Sequence, residues 1–217
     1  MSIVDWFFPR VCVGCGQVGE YICTTCLAKL TTPEPVCPMC CRPSLDGWVH
    51  TRCRLPWGME RLVVALPYRG IVQQLLKKVK YKNSWDIIAV LFEYISFHRL
   101  EPCVVSDVPM FPQKERERGF NQAKLMAQIF AKANRLLYFP TIERVRSTKP
   151  MFGLSKKERL ENVQGAFRLK NQNNLIVKNQ RIIIIDDVWT TGATMRECAK
   201  ILKQGGASEV WGVTIAR

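Results

Sequence analysis

Four consecutive isoleucines followed at once by two aspartates constrain this 217-residue chain more than any other feature. Residues 182–194 read Ile-Ile-Ile-Ile-Asp-Asp-Val-Trp-Thr-Thr-Gly-Ala-Thr. An unbroken β-branched run over 182–185 has no polar face, so it reads as a strand covered on both sides, the pattern of a central strand in a parallel sheet. Ligands of open α/β sheets bind outside the carboxyl ends of such strands, and that is where Asp186 and Asp187 stand. Neighbouring carboxylates accept the two hydroxyl protons of a sugar diol and help to hold a divalent cation indirectly. Helical spacing resumes over 192–204. Thr190, Thr191, Gly192, Ala193 and Thr194 therefore bring hydroxyls and backbone N–H groups to a helix N-terminus, which favours a phosphate, and Gly192 lets the backbone approach it closely. A plain strand–turn–helix corner accounts for two aspartates as turn residues, but not for the order of all thirteen positions.

The sequence before and after this stretch alternates in period. Residues 62–66 and 103–108 read as strands, the second ended by Pro109, and 209–215 as a closing strand. Helical spacing runs over 71–81, 86–97 and 121–134, the last with Asn121 as its cap. Residues 144–162 are basic and irregular, a long loop holding a short helix. Alternating strands and helices predict an α/β domain with a mainly parallel sheet flanked by helices.

Cysteine obeys a different distribution. Eight of the ten cysteines lie between Cys12 and Cys53. Cys12 and Cys15, then Cys23 and Cys26, form two CxxC knuckles; Cys37 and Cys40 form a third; His50 and Cys53 form a fourth with His in the first place. Four knuckles close two tetrahedral zinc sites, one of four thiolates and one of three thiolates and an imidazole. Sequential pairing and a cross-braced pairing both satisfy the spacing, and Cys41 beside Cys40 is an alternative ligand. Four protein ligands leave no open coordination position, so these zincs are structural, and so small a segment needs metal to fold. Pro56 and Gly58 interrupt regular structure within 54–60, which sets a division into a cysteine-rich double zinc-ribbon domain, 1–57, and a larger domain, 58–217.

The net charge of +14 lies wholly beyond residue 60. A basic domain suits phosphate-rich partners, and a merely basic solvated surface is the plainer alternative. No apolar run reaches the roughly 18–20 residues of a membrane helix, so no membrane insertion is expected. Residues 1–8 are apolar but stopped by Pro9 and Arg10, and read as a packing segment rather than a signal peptide. Clustered cysteines without a secretion signal point to metal in a reducing cytoplasm.

These motifs carry a resemblance. Residues 182–194 resemble the phosphoribosyl pyrophosphate (PRPP) signature of type I phosphoribosyltransferases. Val108-Pro109-Met110, then Arg116 and Arg118-Gly119-Phe120-Asn121-Gln122-Ala123, resemble a segment of the ComF family. So do Leu154-Ser155, Arg159 and Asn162 followed by Gly165-Ala166-Phe167, and the cysteine-rich front fits the same family. The resemblance implies a type I phosphoribosyltransferase-like fold behind an N-terminal double zinc ribbon. It implies PRPP with Mg²⁺ as ligand: ribose on Asp186 and Asp187, 5′-phosphate on 190–194, pyrophosphate near Arg116, Arg118, Gly119 and Asn121, and a flexible loop carrying Arg159 and Asn162. It further implies a role in natural transformation, in uptake or cytoplasmic handling of single-stranded DNA, with other competence proteins as partners. Lys77, Lys78, Lys80, Lys82, Arg116, Arg118 and residues 156–159 are the expected phosphate contacts, and Trp85 and Trp189 are either stacking faces or core residues. The alternative is an active phosphoribosyltransferase that transfers phosphoribose to a nucleobase-like acceptor; no segment resembles an acceptor-base hood, and the chain reaches Arg217 directly after the closing strand. A bare zinc-ribbon adaptor leaves most of the sequence unaccounted for. The chain departs from the family in one place: Met151 stands where Gln is usual, which removes an amide from that position.

Overall fold

The computed structural model describes residues 9–82, 87, 88, 91, 103–151, 153–170 and 174–217, with the side chains of 80–82 and 174 left aside. The expected helix over 86–97 falls largely outside these residues, as do Trp85, the segment 1–8 and the side chains of Lys80 and Lys82.

The strands are β1 (Arg61–Leu66), β2 (Val104–Asp107), β3 (Leu137–Tyr138), β4 (Ile142–Arg144), β5 (Phe167–Leu169), β6 (Arg181–Val188) and β7 (Glu209–Ala216). Five of them form one sheet in the order β1-β7-β6-β2-β3, every pair parallel. β4 and β5 make a separate antiparallel pair. The isoleucine strand is interior, hydrogen-bonded to β2 on one side and β7 on the other, as its lack of a polar face requires. It runs further than its apolar core suggests: it continues through Asp186 and Asp187 to Val188, with Asp186 in register with Thr214 and Val188 with Ala216 of β7.

The four isoleucines divide by parity between the two faces, as period-two geometry demands. Ile183 and Ile185 join Val72, Leu75 and Leu76 of helix α1 (Gly70–Lys82) and Met126, Ala127 and Phe130 of a second helix, Gln122–Ala133. Ile182 and Ile184 join Met195, Cys198, Ala199 and Leu202 of the helix that follows β6, Ala193–Gln204. In chain order the helices of seven residues or more described after α1 are α2 (Pro112–Arg118), α3 (Gln122–Ala133), α4 (Lys156–Val163) and α5 (Ala193–Gln204). All four isoleucines are fully buried, each contributing on the order of 1.5–3 kcal/mol.

The cysteine-rich front is built into this core. Cys12, Ile22, Cys23 and Cys26 belong to the apolar cluster on the α1 face, whereas Val36 and Met59 belong to the one on the α5 face. Glu60 fastens the junction: its carboxylate pairs with Lys203 Nζ at 2.7 Å and accepts from the Val210 N–H. Both side chains are about seven-eighths buried, so this pair is far less screened than a surface one.

Candidate functional site

β6 delivers Asp186 and Asp187, half-buried, to the carboxyl edge of the sheet. The Asp187 N–H donates to Asp186 Oδ1 at 2.9 Å, which orients the first carboxylate. The chain then turns through Thr190 and Thr191 to Gly192, the N-cap of α5, with φ +75°. A β-carbon on Gly192 would lie 2.2 Å from Cζ2 of Trp189, so both the left-handed backbone and the indole beneath it demand glycine. Asp186, Thr190, Thr191, Gly192, Ala193 and Thr194 line a small cup of about 30 Å³ with Val188, Trp189, Met151 and Met195. The first-turn N–H groups of a twelve-residue helix thus face a recess shared with a carboxylate. That arrangement is chemically suited to an anion next to a hydroxyl-bearing group.

The cup opens into a larger cavity of about 860 Å³, lined by both aspartates, Thr194, Met151, Asn121, Arg118, Lys114 and Arg144 among others. The expected pyrophosphate residues separate here. Arg118 lines the cavity, exposed, with Nη1 donating to Gln122 Oε1 at 3.0 Å. Arg116 is exposed on α2 and is not among the lining residues. Gly119 is the left-handed C-cap of α2, φ +86°, and does not line the cavity either. Asn121 reaches it, but its side chain is spent internally. Oδ1 caps α3 by accepting from Ala123 N–H, while Nδ2 donates to Asp107 Oδ2 at 3.0 Å and to the Val108 carbonyl at 3.2 Å. Burial raises the pKa of Asp107, which also accepts from Tyr138 Oη at 2.8 Å.

Arg159 and Asn162 sit on α4, away from the lining. Arg159 Nε donates to the Leu154 carbonyl. Asn162 clamps the backbone of Lys149, accepting its N–H and donating to its carbonyl, and also lies 3.7 Å from Met151 Sδ. Its contact with the cavity is through Met151.

Two cations of the lining, Arg144 and Lys114, escaped the sequence reading. Arg144 ends β4, donates from Nη2 to Thr148 Oγ1 and lies 5.3 Å over the Phe167 ring. Burial pulls its pKa down while the nearby Asp186 charge works the other way. Lys114 is anchored to the Thr148 carbonyl at 3.3 Å. Gln122 holds Arg118. Among the described residues, Arg144 Nε and Gln122 Nε2 are buried donors of the cavity lining without a partner. No spacing marked Arg144 among the several cations of 144–162; only the three-residue strand that ends on it does.

For Trp189 the core alternative holds. It is 2% exposed, packed under Gly192 with Arg196 over its ring at 5.4 Å, so it offers no stacking face to nucleic acid.

The cysteine knuckles pair sequentially, which removes the cross-braced alternative. Cys12, Cys15, Cys23 and Cys26 form one group and Cys37, Cys40, His50 and Cys53 the other, with all ligand atoms of each group within 4.8 Å of one another. Cys15 Sγ and Cys23 Sγ are 3.6 Å apart, close to the ~3.8 Å edge of a tetrahedron with zinc–sulfur bonds of about 2.3 Å. The Cys23 N–H points to Cys12 Sγ at 3.4 Å, an orientation that supports a thiolate. Burial opposes ionisation of Cys12, but backbone N–H groups of Cys23, Cys15 and Gly14 bring its pKa to about 6. Burial and the neighbouring sulfurs push Cys26 up to about 12. Four thiolates at this spacing require a cation. In the second group His50 Nδ1 faces Cys40 Sγ at 3.4 Å and Cys53 Sγ at 3.9 Å, while Nε2 lies 3.0 Å from the Pro43 carbonyl. A carbonyl partner puts the proton on Nε2 and leaves the Nδ1 lone pair for metal. Cys41 is not a member; its sulfur accepts from Arg196 Nη2 at 3.2 Å. Both donor sets fit structural zinc.

Comparison with known proteins follows the same two parts. A double zinc ribbon domain matches residues 3–54, and a phosphoribosyl transferase domain matches residues 117–217. Competence protein ComFC of Bacillus subtilis is 30% identical over 213 residues, covering 91% of this chain and 85% of that one. The chain belongs to the ComF family. Another relative is the DNA utilization protein YhgH of Escherichia coli K12, 29% identical over 221 residues, covering 94% of this chain and 96% of that protein. A solved allosteric regulatory enzyme of purine biosynthesis has 20% identity and a TM-score of 0.40, over 59% of this chain and 24% of that one. Within the ComF family, the mainly parallel sheet and the paired cysteine groups of this chain are the expected architecture. No helix among the described residues is long and apolar enough to cross a membrane.

Proposed function

We propose that this ComF-family chain binds PRPP with Mg²⁺ at the carboxyl end of β6 and acts in DNA uptake or in cytoplasmic handling of incoming single strands. One observation carries the reading: two aspartates and the N-terminus of α5 open onto a single cavity ringed by Lys114, Arg118 and Arg144. Asp186 and Asp187 accept the ribose hydroxyls. The loop 190–194 holds the 5′-phosphate on backbone N–H groups. Arg118, with Arg144 and Lys114 behind it, faces the pyrophosphate, and Mg²⁺ supplies neutralisation of its remaining charge. The DNA role is supported by the relatives, one named for competence and one for DNA utilization, and by the excess positive charge beyond residue 60. Arg116 on α2 and Lys156 and Lys157 on α4 are exposed and suit a phosphate backbone.

Fluorescence anisotropy with a labelled single-stranded oligonucleotide tests this. Binding is expected to be weak, indifferent to sequence and steeply reduced by salt, because lysines and arginines release counterions. If the DNA path crosses the cavity rim at Arg116, Arg118 and 156–159, PRPP competes with it. Binding that ignores PRPP keeps the DNA role but moves it to another face, where Lys77 and Lys78 of α1 lie. Absence of binding at low salt overturns the DNA reading and leaves transfer of phosphoribose to a base, measured as pyrophosphate release, as the better account.

A further inference from the structure

The two metal groups stand in different relations to the phosphate cup. The first is part of the core on the α1 face. The second adjoins the core on the α5 face through Val36 and Cys41, and one side chain of α5 hydrogen-bonds to it directly. Arg196 Nε donates to the carbonyl of Pro38, inside the Cys37–Cys40 knuckle, at 2.7 Å. Its Nη2 donates to the sulfur of Cys41, the residue after ligand Cys40, at 3.2 Å. Cys41 is held in the left-handed region at φ +61°, and its N–H returns to the Cys37 carbonyl at 2.9 Å, so the knuckle's own turn aims this thiol. The same guanidinium lies 5.4 Å over Trp189, and Trp189 is the floor against which Gly192 packs. The Arg196 N–H donates to the Gly192 carbonyl at 2.9 Å.

We infer that the second cysteine group positions the phosphate loop, with Arg196 as the positioning residue that links them. The inference rests on the reading of 190–194 as a phosphate site. A knuckle closed by zinc holds the Pro38 carbonyl and the Cys41 sulfur at fixed points. The planar guanidinium bonds both at once, so its plane, and with it the indole beneath, is set. The indole in turn fixes the height of Gly192 and the direction of the first-turn N–H groups. Lysine cannot reproduce this: a point charge has no fork to span two acceptors and no plane to stack. Without metal the knuckle has no cause to keep its turn, and the cup loses the wall under Gly192. Linkage makes the effect reciprocal, so a phosphate seated in the cup must raise the equilibrium zinc affinity of the second group and leave the first unchanged.

The test uses the full chain loaded with zinc and ribose 5-phosphate as the probe, which needs no Mg²⁺ and so tolerates a chelator. Zinc retained at equilibrium against a chromogenic chelator is titrated with and without the probe, and the step belonging to the second group is identified as the one missing in Cys37→Ser. Saturating ribose 5-phosphate is expected to raise the zinc affinity of that step about fivefold or more and to leave the other unaltered. Arg196→Lys, and independently Arg196→Ala, are expected to keep the zinc of both groups, abolish that gain in affinity and weaken binding of the probe. Binding to the parent without a gain at the second group, or an equal gain in Arg196→Lys, overturns the linkage while leaving the phosphate site standing. No calorimetric binding of ribose 5-phosphate to the parent removes the phosphate-site reading itself, and this inference with it.

Discussion

At Gly192 the requirements of backbone and packing coincide. The residue needs φ +75°, and its missing β-carbon makes room for the Trp189 ring. Gly192→Ala adds left-handed strain and overpacking, together roughly 2–5 kcal/mol. A marked fall in thermal midpoint with loss of phosphate binding is the expected outcome; an unchanged midpoint contradicts the packing described. The glycine and the aspartates were legible in the sequence because each residue type has one common use at that place. Trp189 was not, since an aromatic in a polar loop reads equally as floor or as face, and only the contact with Gly192 decides. The thiols also speak at this scale. Without metal, Cys12, with a pKa of about 6, is ionised at pH 7.5, whereas Cys26, near 12, keeps its proton. Zinc takes thiolates, so binding must release protons and strengthen as pH rises. Calorimetry in two buffers of different ionisation enthalpy should give apparent heats that differ; identical heats would mean that the thiols were already deprotonated.

Among elements, what the sequence revealed follows from how much pattern each one carries. β6, α1, α3 and α5 are long enough to show a period, and the four isoleucines leave no second interpretation. β3, β4 and β5 span only two or three residues, too few for alternation to appear. α2 has no buried residue, so it shows no apolar stripe. Its signals are at its ends instead: Pro112 in the first turn, Arg116 and Arg118 in the last, and Gly119 as a left-handed cap. α4 is specified the same way. Ser155 and Glu158 form a reciprocal capping box, Ser155 Oγ accepting from Glu158 N–H and Glu158 Oε2 accepting from Ser155 N–H. With few apolar residues to hold it, this helix depends on that cap. Ser155→Ala should raise amide hydrogen exchange over 156–160 about fivefold, with exchange in β6 unaltered. Equal exchange in both proteins would show that packing against α5, rather than the cap, maintains the helix.

For the molecule as a whole, the sequence disclosed two parts and their chemistry but not how one is built into the other. Nothing in the knuckle spacing says that the first group joins the core under α1 while residues around the second join the core under α5. The Glu60–Lys203 pair and the Arg196 contacts lie 143 to 158 residues apart in sequence, beyond the reach of any local pattern. Sequential pairing makes a direct prediction. The purified chain should carry about two zinc ions; Cys12→Ser and Cys37→Ser should each remove one, and the double variant both. A stoichiometry of one that Cys37→Ser leaves unchanged rejects the second site.

The claim on which the functional account depends is that Asp186 and Asp187 hold the ribose of PRPP. Isothermal titration of the full chain with PRPP and Mg²⁺, set beside the Asp186→Asn, Asp187→Asn double variant, measures it most directly. The carboxylates face the cavity rather than the core, so the variant should stay folded and keep its zinc. Loss of charge-assisted hydrogen bonds from both carboxylates, each worth roughly 1.5–3 kcal/mol, predicts one PRPP per parent chain and an affinity lowered by about 100-fold or more in the variant. A parent that binds no PRPP, or a double variant that binds it as tightly as the parent, contradicts the account.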